Sequence, residues 1–129
     1  MGADSPPKVG DSYSYERTFT RDDVEQFGRL SGDTQAIHTD PDEEGRLVVQ
    51  GLLTASLTTK IGGDLEVLAT RMEYEFRRPV YTGEAIRCHW ETDSVIERED
   101  RYELSATLAC RNEADVTVLV GETDGIVWK

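Results

Sequence analysis

The chain has 129 residues, a length that predicts one domain. It carries 26 acidic and 14 basic residues, for a net charge of −12, so nucleic acid is not expected as a partner because neutralising phosphates requires clustered cations. No apolar run approaches the roughly 20 residues of a membrane helix, and the polar residues 1–7 show no secretory signal. We therefore expect a soluble, cytoplasmic protein without a membrane partner.

The choice of basic residues points to a salt-adapted protein. Lysine occurs only at Lys8, Lys60 and Lys129, and all other basic residues are arginine. An acid-rich, lysine-poor surface is typical of proteins from salt-loving microbes, because high salt screens the repulsion between like charges. The composition favours a halophilic protein, with a merely acidic protein as the alternative.

The first half of the chain predicts a tail, a strand and a helix. Breaker residues over 1–11 predict a loose N-terminal tail, and 12–129 then form the single domain, beginning with a strand over 12–19. Thr20 and Asp23 have the spacing of a capping box, which predicts a helix over 21–31 that ends at Gly32.

A loop over 32–46 and a second helix over 50–62 follow. This second helix is apolar or small nearly all round, so we expect protein on every side of it, and Gly62 and Gly63 are predicted to stop it. Cys88 and Cys110, further along, are expected to be buried thiols; their spacing to the two histidines does not predict a metal site.

Four long strands are predicted in the second half, where apolar residues alternate. They cover 66–77 with Leu68, Met72, Tyr74 and Phe76 inward, 84–96 with Ile86, Cys88 and Trp90 inward, 101–111, and 115–128 with Val116, Val118 and Val120 inward. A run of antiparallel strands after an apolar helix predicts an α+β fold in which a curved sheet wraps around that helix.

Three segments together resemble one enzyme family. Residues 31–40 read SGDTQAIHTD, residues 50–57 read QGLLTASL, and residues 76–84 read FRRPVYTGE. In this order, over nearly the whole of 12–128, they resemble the MaoC-like (R)-specific enoyl-CoA hydratases and acyl dehydratases. The resemblance implies a hot-dog fold, a curved antiparallel sheet around a central buried helix. It also implies a hydro-lyase that acts on enoyl or 3-hydroxyacyl thioesters.

Asp33, His38 and Gly51 are the candidate catalytic residues. Hydration of an enoyl thioester needs a base for water, a proton donor and hydrogen-bond donors to the enolate oxygen. Asp33 and His38 can hold a water between them, and Gly51 offers its N–H at a helix N-terminus. The alternative is a turn aspartate, a structural histidine and a packing glycine.

Four further residues are predicted to bind substrate. Gln50 stands where the family usually has histidine, and Thr59 matches a family position with a hydroxyl near the substrate. Arg77 and Arg78 can meet the phosphates of coenzyme A, unless they are only solvated charges. Gln35 and Ala36 depart from the family's Asn-Pro pair. An acyl-CoA or acyl-carrier thioester is the expected partner, and coenzyme A enters only as part of the substrate, with no other cofactor.

Two other functions remain open. Hot-dog acyl-CoA thioesterases usually carry a carboxylate on the central helix, which residues 50–62 lack, so the sequence favours a hydratase. A non-catalytic subunit that binds acyl thioesters is the other alternative, kept open by Gln35 and Gln50. We also expect a homodimer, because a hot-dog sheet has an open edge. The strand over 84–96 is predicted to form the join.

Overall fold

The computed structural model describes residues 5–129, in which one antiparallel sheet packs against a long helix. Its elements are β1 (Ser12–Thr18), α1 (Arg21–Ser31), α2 (Ala36–Thr39), α3 (Gly51–Asp64), β2 (Leu68–Phe76), β3 (Ala85–Glu97), β4 (Arg101–Arg111) and β5 (Thr117–Trp128). The strand order is β1-β3-β4-β5-β2, and α3 contacts β1, β2 and β3. The expected α+β arrangement is confirmed. Within residues 5–129, no helix combines the length and the apolar character needed to cross a bilayer.

Helix α1 has the predicted bounds and caps. The Thr20 side chain accepts a hydrogen bond from the Asp23 N–H at 3.1 Å, and the Asp23 carboxylate accepts one from the Thr20 N–H at 2.9 Å. At the other end Gly32 adopts φ 81° and donates its N–H to the Gly28 carbonyl. This positive φ suits glycine, and it turns the chain out of the helix directly before Asp33.

Helix α3 differs from the prediction in two ways. It continues through Gly62 and Gly63 to Asp64, because the left-handed residue that closes the helix is Glu66, with φ 57°. It is also not enclosed by its own chain, since Leu52 is 64% exposed and Thr59 is exposed. This open side of α3 includes Leu52, Thr59 and Gly63; the exposed Lys60 and Asp64 also lie on α3 and pair with each other.

Strand β3 shows the predicted alternation, and β2 does not. Ile86, Cys88 and Trp90 are buried as predicted. In β2, Met72 and Phe76 lie on the inner face but are half exposed, because β2 is an edge strand that α3 covers only in part. The prediction that both are buried is wrong for the isolated chain.

Register irregularities explain the remaining inward residues that were predicted wrongly. A bulge between Ala69 and Arg71 places Leu68 opposite Ile126 on the outer face, so Leu68 does not point inward. In β5 Val118 is buried as predicted, whereas Val116 is 38% exposed. The register then shifts at Cys110, so that Leu119 is also buried, opposite Cys110, and Val120 faces outward. Neither shift can be deduced from alternation alone, because one extra residue reverses the faces of all that follow.

The two cysteines lie directly opposite each other on β3 and β4. Both Cys88 and Cys110 are fully buried and unoxidised. A hydrogen bond with Cys88, together with burial, raises the pKa of the Cys110 thiol. They therefore serve as small core residues, as predicted.

The N-terminal segment is tied to the sheet from Lys8 onward. The Lys8 N–H donates to the Asp11 carboxylate, the Gly10 N–H to the Thr92 carbonyl, and the Thr92 N–H to the Asp11 carbonyl. The prediction of a loose tail is thus wrong for these residues. Residues 1–4 of the predicted tail lie outside the described residues.

The sheet has its two open edges at β1 and β2. Strand β3, which contains the predicted joining residues 84–96, pairs with β1 on one side and β4 on the other. From Ala85 to Glu91 its backbone has a strand on both sides, and only the end of β3 beyond Thr92 lacks a neighbour on the β1 side. The predicted join along the whole of 84–96 is therefore wrong.

The acidic surface predicts a strong dependence of stability on salt. Arg71 alone contacts three carboxylates, those of Glu73, Glu122 and Asp124, and its hydrogen bond to Glu122 lowers the pKa of that carboxyl. The net charge is nevertheless −12, and some carboxylates have no such cation among residues 5–129. We expect Tm to rise steeply from 0.01 M to 1 M KCl, because the Debye length falls from about 30 Å to about 3 Å.

A charge-reduced variant is the control for the salt experiment. Glu25, Glu43 and Glu99 are exposed and form no ion pair with another described residue. Their replacement by glutamine should raise Tm in 0.01 M KCl and flatten the salt dependence. A Tm that does not change with KCl in the original chain would contradict the halophilic interpretation.

Candidate active site

The end of α1 positions Asp33. The Asp33 N–H donates to the Ser31 hydroxyl at 3.1 Å, which fixes the backbone just beyond Gly32. The carboxylate then has two neighbours: its Oδ1 accepts from the Gln35 side-chain amide at 2.9 Å, and its Oδ2 lies 3.4 Å from His38 Nε2. The Asp33 side chain is 40% exposed, so water reaches it.

His38 lies on the short helix α2, which the sequence predicted as loop. The ring is buried, and its Nδ1 is 2.6 Å from the Val48 carbonyl oxygen. Because a carbonyl only accepts, Nδ1 carries the proton in this contact. Val48 is held in turn by its own N–H, which donates to the Ile37 carbonyl. The orientation and the tautomer of His38 are therefore set by the backbone.

The pair can bind one water. With a proton on Nδ1, the neutral ring offers a lone pair at Nε2, and the ionised Asp33 offers a second acceptor 3.4 Å away. Two acceptors repel at contact but can each accept one hydrogen of a shared water. When Nε2 also carries a proton, the same two atoms form an ion pair, so Nε2 can hold a proton beside Asp33.

A cleft of about 440 Å³ connects this pair to the start of α3. The first N–H of α3 bonded back into the helix is that of Thr54, which donates to the Gln50 carbonyl. The N–H groups before it, that of Gly51 included, are therefore free to meet a substrate oxygen. Gly51 also permits close approach, since a Cβ there would lie 3.0 Å from the Phe76 ring.

Comparison with known proteins shows the family to which the chain belongs. A sequence model of the MaoC-like domain matches residues 4–113, most of the chain. The chain belongs to the MaoC-like domain family. A mitochondrial 3-hydroxyacyl-[acyl-carrier-protein] dehydratase of Arabidopsis thaliana is 27% identical, over 93% of this chain and 77% of that protein.

Solved structures agree on the fold of this MaoC-like chain. An (R)-hydratase of A. caviae involved in PHA biosynthesis superposes with a TM-score of 0.81 at 24% identity, over 92% of this chain and 96% of that one. An R-hydratase of Pseudomonas aeruginosa does so with a TM-score of 0.78 at 20% identity, over 92% and 81%. These likenesses confirm the expected hot-dog fold.

Five of the seven predicted site residues of the MaoC-like domain line one cleft. Asp33, His38, Gly51, Arg77 and Arg78 all border it. Arg77 is paired with Glu75 at 2.9 Å, whereas the guanidinium of Arg78 forms no ion pair with any of residues 5–129. Both arginines are exposed.

Gln50 and Thr59 do not border the cleft. Gln50 is 2% exposed and points away from solvent, with its side-chain amide donating to the Val24 carbonyl of α1 at 2.9 Å. A role in contacting substrate is therefore wrong for Gln50. Its other amide atom, Oε1, is buried without a hydrogen-bond partner among residues 5–129, which costs about 1–3 kcal/mol. Thr59 lies on the open side of α3, away from Asp33 and His38.

Sequence reasoning missed four groups of this site. They are the Gln35 amide on Asp33, the Val48 carbonyl on His38, and the Thr54 and Phe76 side chains in the cleft wall. Gln35 was recognised only as a departure from the family pattern. The carbonyl of Val48 has no sequence signal, because any residue type provides one. In the described part of the chain, no three His, Cys, Asp or Glu side chains are arranged to hold a metal ion.

Proposed function

We propose that this chain is a hydratase or dehydratase that adds water to, or removes it from, enoyl and 3-hydroxyacyl thioesters, with Asp33 and His38 as its acid–base pair. One observation carries the proposal: Asp33 Oδ2 and His38 Nε2 face each other at 3.4 Å in the cleft that also holds the free N-terminus of α3. Membership of the MaoC-like family and the names of the relatives support the same reaction class.

In the hydration direction, the shared water is the only reagent besides the substrate. Asp33 accepts a proton from this water as its oxygen bonds to C3 of the enoyl group. The π electrons move toward the thioester, and the Gly51 N–H donates to the oxygen that becomes enolate-like. This proton passes from Asp33 Oδ2 to His38 Nε2, 3.4 Å away, and from Nε2 to C2, so both groups return to their starting state. Dehydration follows the same steps in reverse.

No cofactor is needed for this reaction, and coenzyme A or a carrier enters only as part of the thioester. Arg78 is the cation best placed for the phosphates of that group, because it borders the cleft without an ion pair inside residues 5–129. Arg77 is partly neutralised by Glu75. An arginine can form paired hydrogen bonds to a phosphate, which fits this role.

Arg78→Ala should therefore raise KM for crotonyl-CoA about tenfold, the value of one charge-assisted contact, and leave kcat unchanged. The control is the crotonyl thioester of N-acetylcysteamine, which has no phosphate and should show no change in KM. An equal effect on both substrates would remove Arg78 from phosphate binding.

The function itself is tested by incubating the protein with crotonyl-CoA in molar KCl. Hydration removes the absorbance of the conjugated thioester without releasing thiol. Hydrolysis releases free thiol, and a binding subunit does neither. Loss of absorbance alone is the expected result; release of thiol would instead show a thioesterase.

The structure gives the thioesterase alternative little support. The only carboxylate on α3 is that of Asp64, its last residue, and it is exposed and paired with Lys60. It is not among the residues that border the cleft. A thioesterase that activates water from its central helix has no candidate residue here.

We also propose a homodimer, joined through β2 rather than through β3. The outer edge of β2 is unpaired, and Met72 and Phe76 next to it are 49% and 50% exposed. A second copy paired along β2 would cover both, and it would border the cleft at Phe76.

Light scattering in molar KCl should give a mass of about 29 kDa, twice the 14.5 kDa chain. Met72→Glu should convert the protein to a monomer and reduce hydration, because a carboxylate would be buried in the interface. Val9→Glu, which adds the same charge at a residue that is 66% exposed near β1, is the control and should stay dimeric. A fully active monomer would exclude both the dimer and a shared cleft.

A further inference from the structure

Gln50 lies where three parts of the site meet: the N-terminus of α3, helix α1 and the segment that carries Asp33. Its backbone is the cap residue directly before Gly51 in α3, and its amide nitrogen bonds the Val24 carbonyl of α1. A Cβ built on Gly28 would lie 3.6 Å from this amide nitrogen and 3.3 Å from the Asp33 carbonyl oxygen. The Gln50 side chain, α1 and the Asp33 segment therefore meet at one point.

The hydrogen bond of Gln50 is not needed to satisfy Val24. As an interior helix residue, Val24 already has a carbonyl that accepts from the N–H four residues later. Gln50 also brings an amide oxygen that has no partner in residues 5–129. An apolar side chain of equal length would fill the same space without an unpaired polar atom, so stability alone does not explain this residue.

We propose that Gln50 is a positioning residue for the catalytic groups. Its bond to Val24 sets the distance and direction of the α3 N-terminus, with the Gly51 N–H, relative to the segment that carries Asp33. This inference rests on the proposed function, since it assumes that Gly51 and Asp33 act on one substrate. Gln50 itself touches neither the water nor the thioester.

The test is Gln50→Met, which keeps the length and removes the amide. We expect Tm to stay equal or to rise by a few degrees, because the unpaired buried oxygen is gone. We expect kcat for crotonyl-CoA to fall about tenfold or more with KM changed less than about twofold, since a small displacement of the oxyanion donor acts on the transition state. A residue that only stabilised the fold would show the opposite pattern, a lower Tm with kcat preserved.

A second variant perturbs the contact between Gln50, α1 and the Asp33 segment without altering Gln50. Gly28→Ala places a methyl group against the Asp33 carbonyl and the Gln50 amide, and it should lower kcat with little change in KM. Gly63→Ala, where an added Cβ meets no atom within 4 Å, is the matched control and should keep kcat.

The outcomes separate the two proposals. Normal kcat in both Gln50→Met and Gly28→Ala would overturn the positioning role and leave the hydratase intact. A kcat loss in Gln50→Met that is fully accounted for by unfolded protein would also overturn it. Absence of hydration by the unaltered protein would overturn the proposed function, and the positioning role with it.

Discussion

Asp33→Asn should lower kcat for the hydration of crotonyl-CoA by about a hundredfold or more. The substitution keeps the size of the side chain and its contact with Gln35 but removes the base that accepts the water proton. His38→Ala should cause a loss of the same order, since it removes the ring that carries the proton to C2. Steady-state rates in molar KCl, with circular dichroism to verify folding, measure both.

Matched controls for this pair exist in the same chain. Asp40→Asn makes the same change two residues beyond His38, at a carboxylate that does not border the cleft, and should keep turnover. His89→Ala removes the exposed histidine that contacts Ser14 on the outer face of the sheet, and it should also keep turnover. Near-normal turnover in Asp33→Asn would exclude Asp33 as the base, and the same result in His38→Ala would exclude His38.

Gly121→Ala should destabilise the protein by about 3 kcal/mol, the upper end of the usual cost of overpacking. A Cβ at Gly121 would lie 2.5 Å from the Glu73 carbonyl oxygen and 2.6 Å from the Tyr74 ring. Backbone cannot move aside as a side-chain tip can, so β2 must shift away from β5. The shift would also strain the hydrogen bond between the Tyr74 and Thr58 hydroxyls, which ties β2 to α3.

Urea unfolding measures this effect. Gly63→Ala again serves as the control: a helical glycine replaced by alanine in open space should gain about 0.5–1 kcal/mol. A free energy of unfolding for Gly121→Ala within about 1 kcal/mol of the unaltered chain would contradict the tight approach of β2 to β5. It would also weaken the proposal that β2 holds Phe76 at the cleft.

Local signals in the sequence predicted much of this fold. The capping box and Gly32 predicted α1 to the residue, and alternation predicted the buried face of β3, because both depend on neighbouring residues only. The family motifs predicted from the sequence alone that Asp33, His38 and Gly51 belong to one site. Their common cleft agrees with that expectation.

Predictions that depended on distant contacts were the ones that failed. The sequence of strand 84–96 is compatible with an edge position and with a central position in the sheet. Only its pairing with β1 and β4 shows that it is central. Gln50 was predicted to bind substrate because it stands where the family usually has histidine. Gln50 is buried because α1 packs over it. The position of α1 cannot be deduced from the spacing of residues along α3.

The strand order has a consequence for how the chain is made. Strands β3, β4 and β5 are consecutive and pair as neighbours, so their contacts are local and can form early. Strands β1 and β2 lie on opposite edges and pair only with β3 and β5, which are synthesised after them. Asp33, His38 and α3 therefore leave the ribosome before any sheet exists to receive them.

During that interval the apolar α3 has no core to join, and such unpartnered segments are exposed to aggregation. Strand β2 can pair with the sheet only after β5 has been synthesised. The wall of the cleft formed by Phe76 is therefore completed by β5. Because Phe76 pairs with Leu119 at the start of β5, loss of the whole of β5 during synthesis would leave every candidate catalytic side chain present and the cleft incomplete.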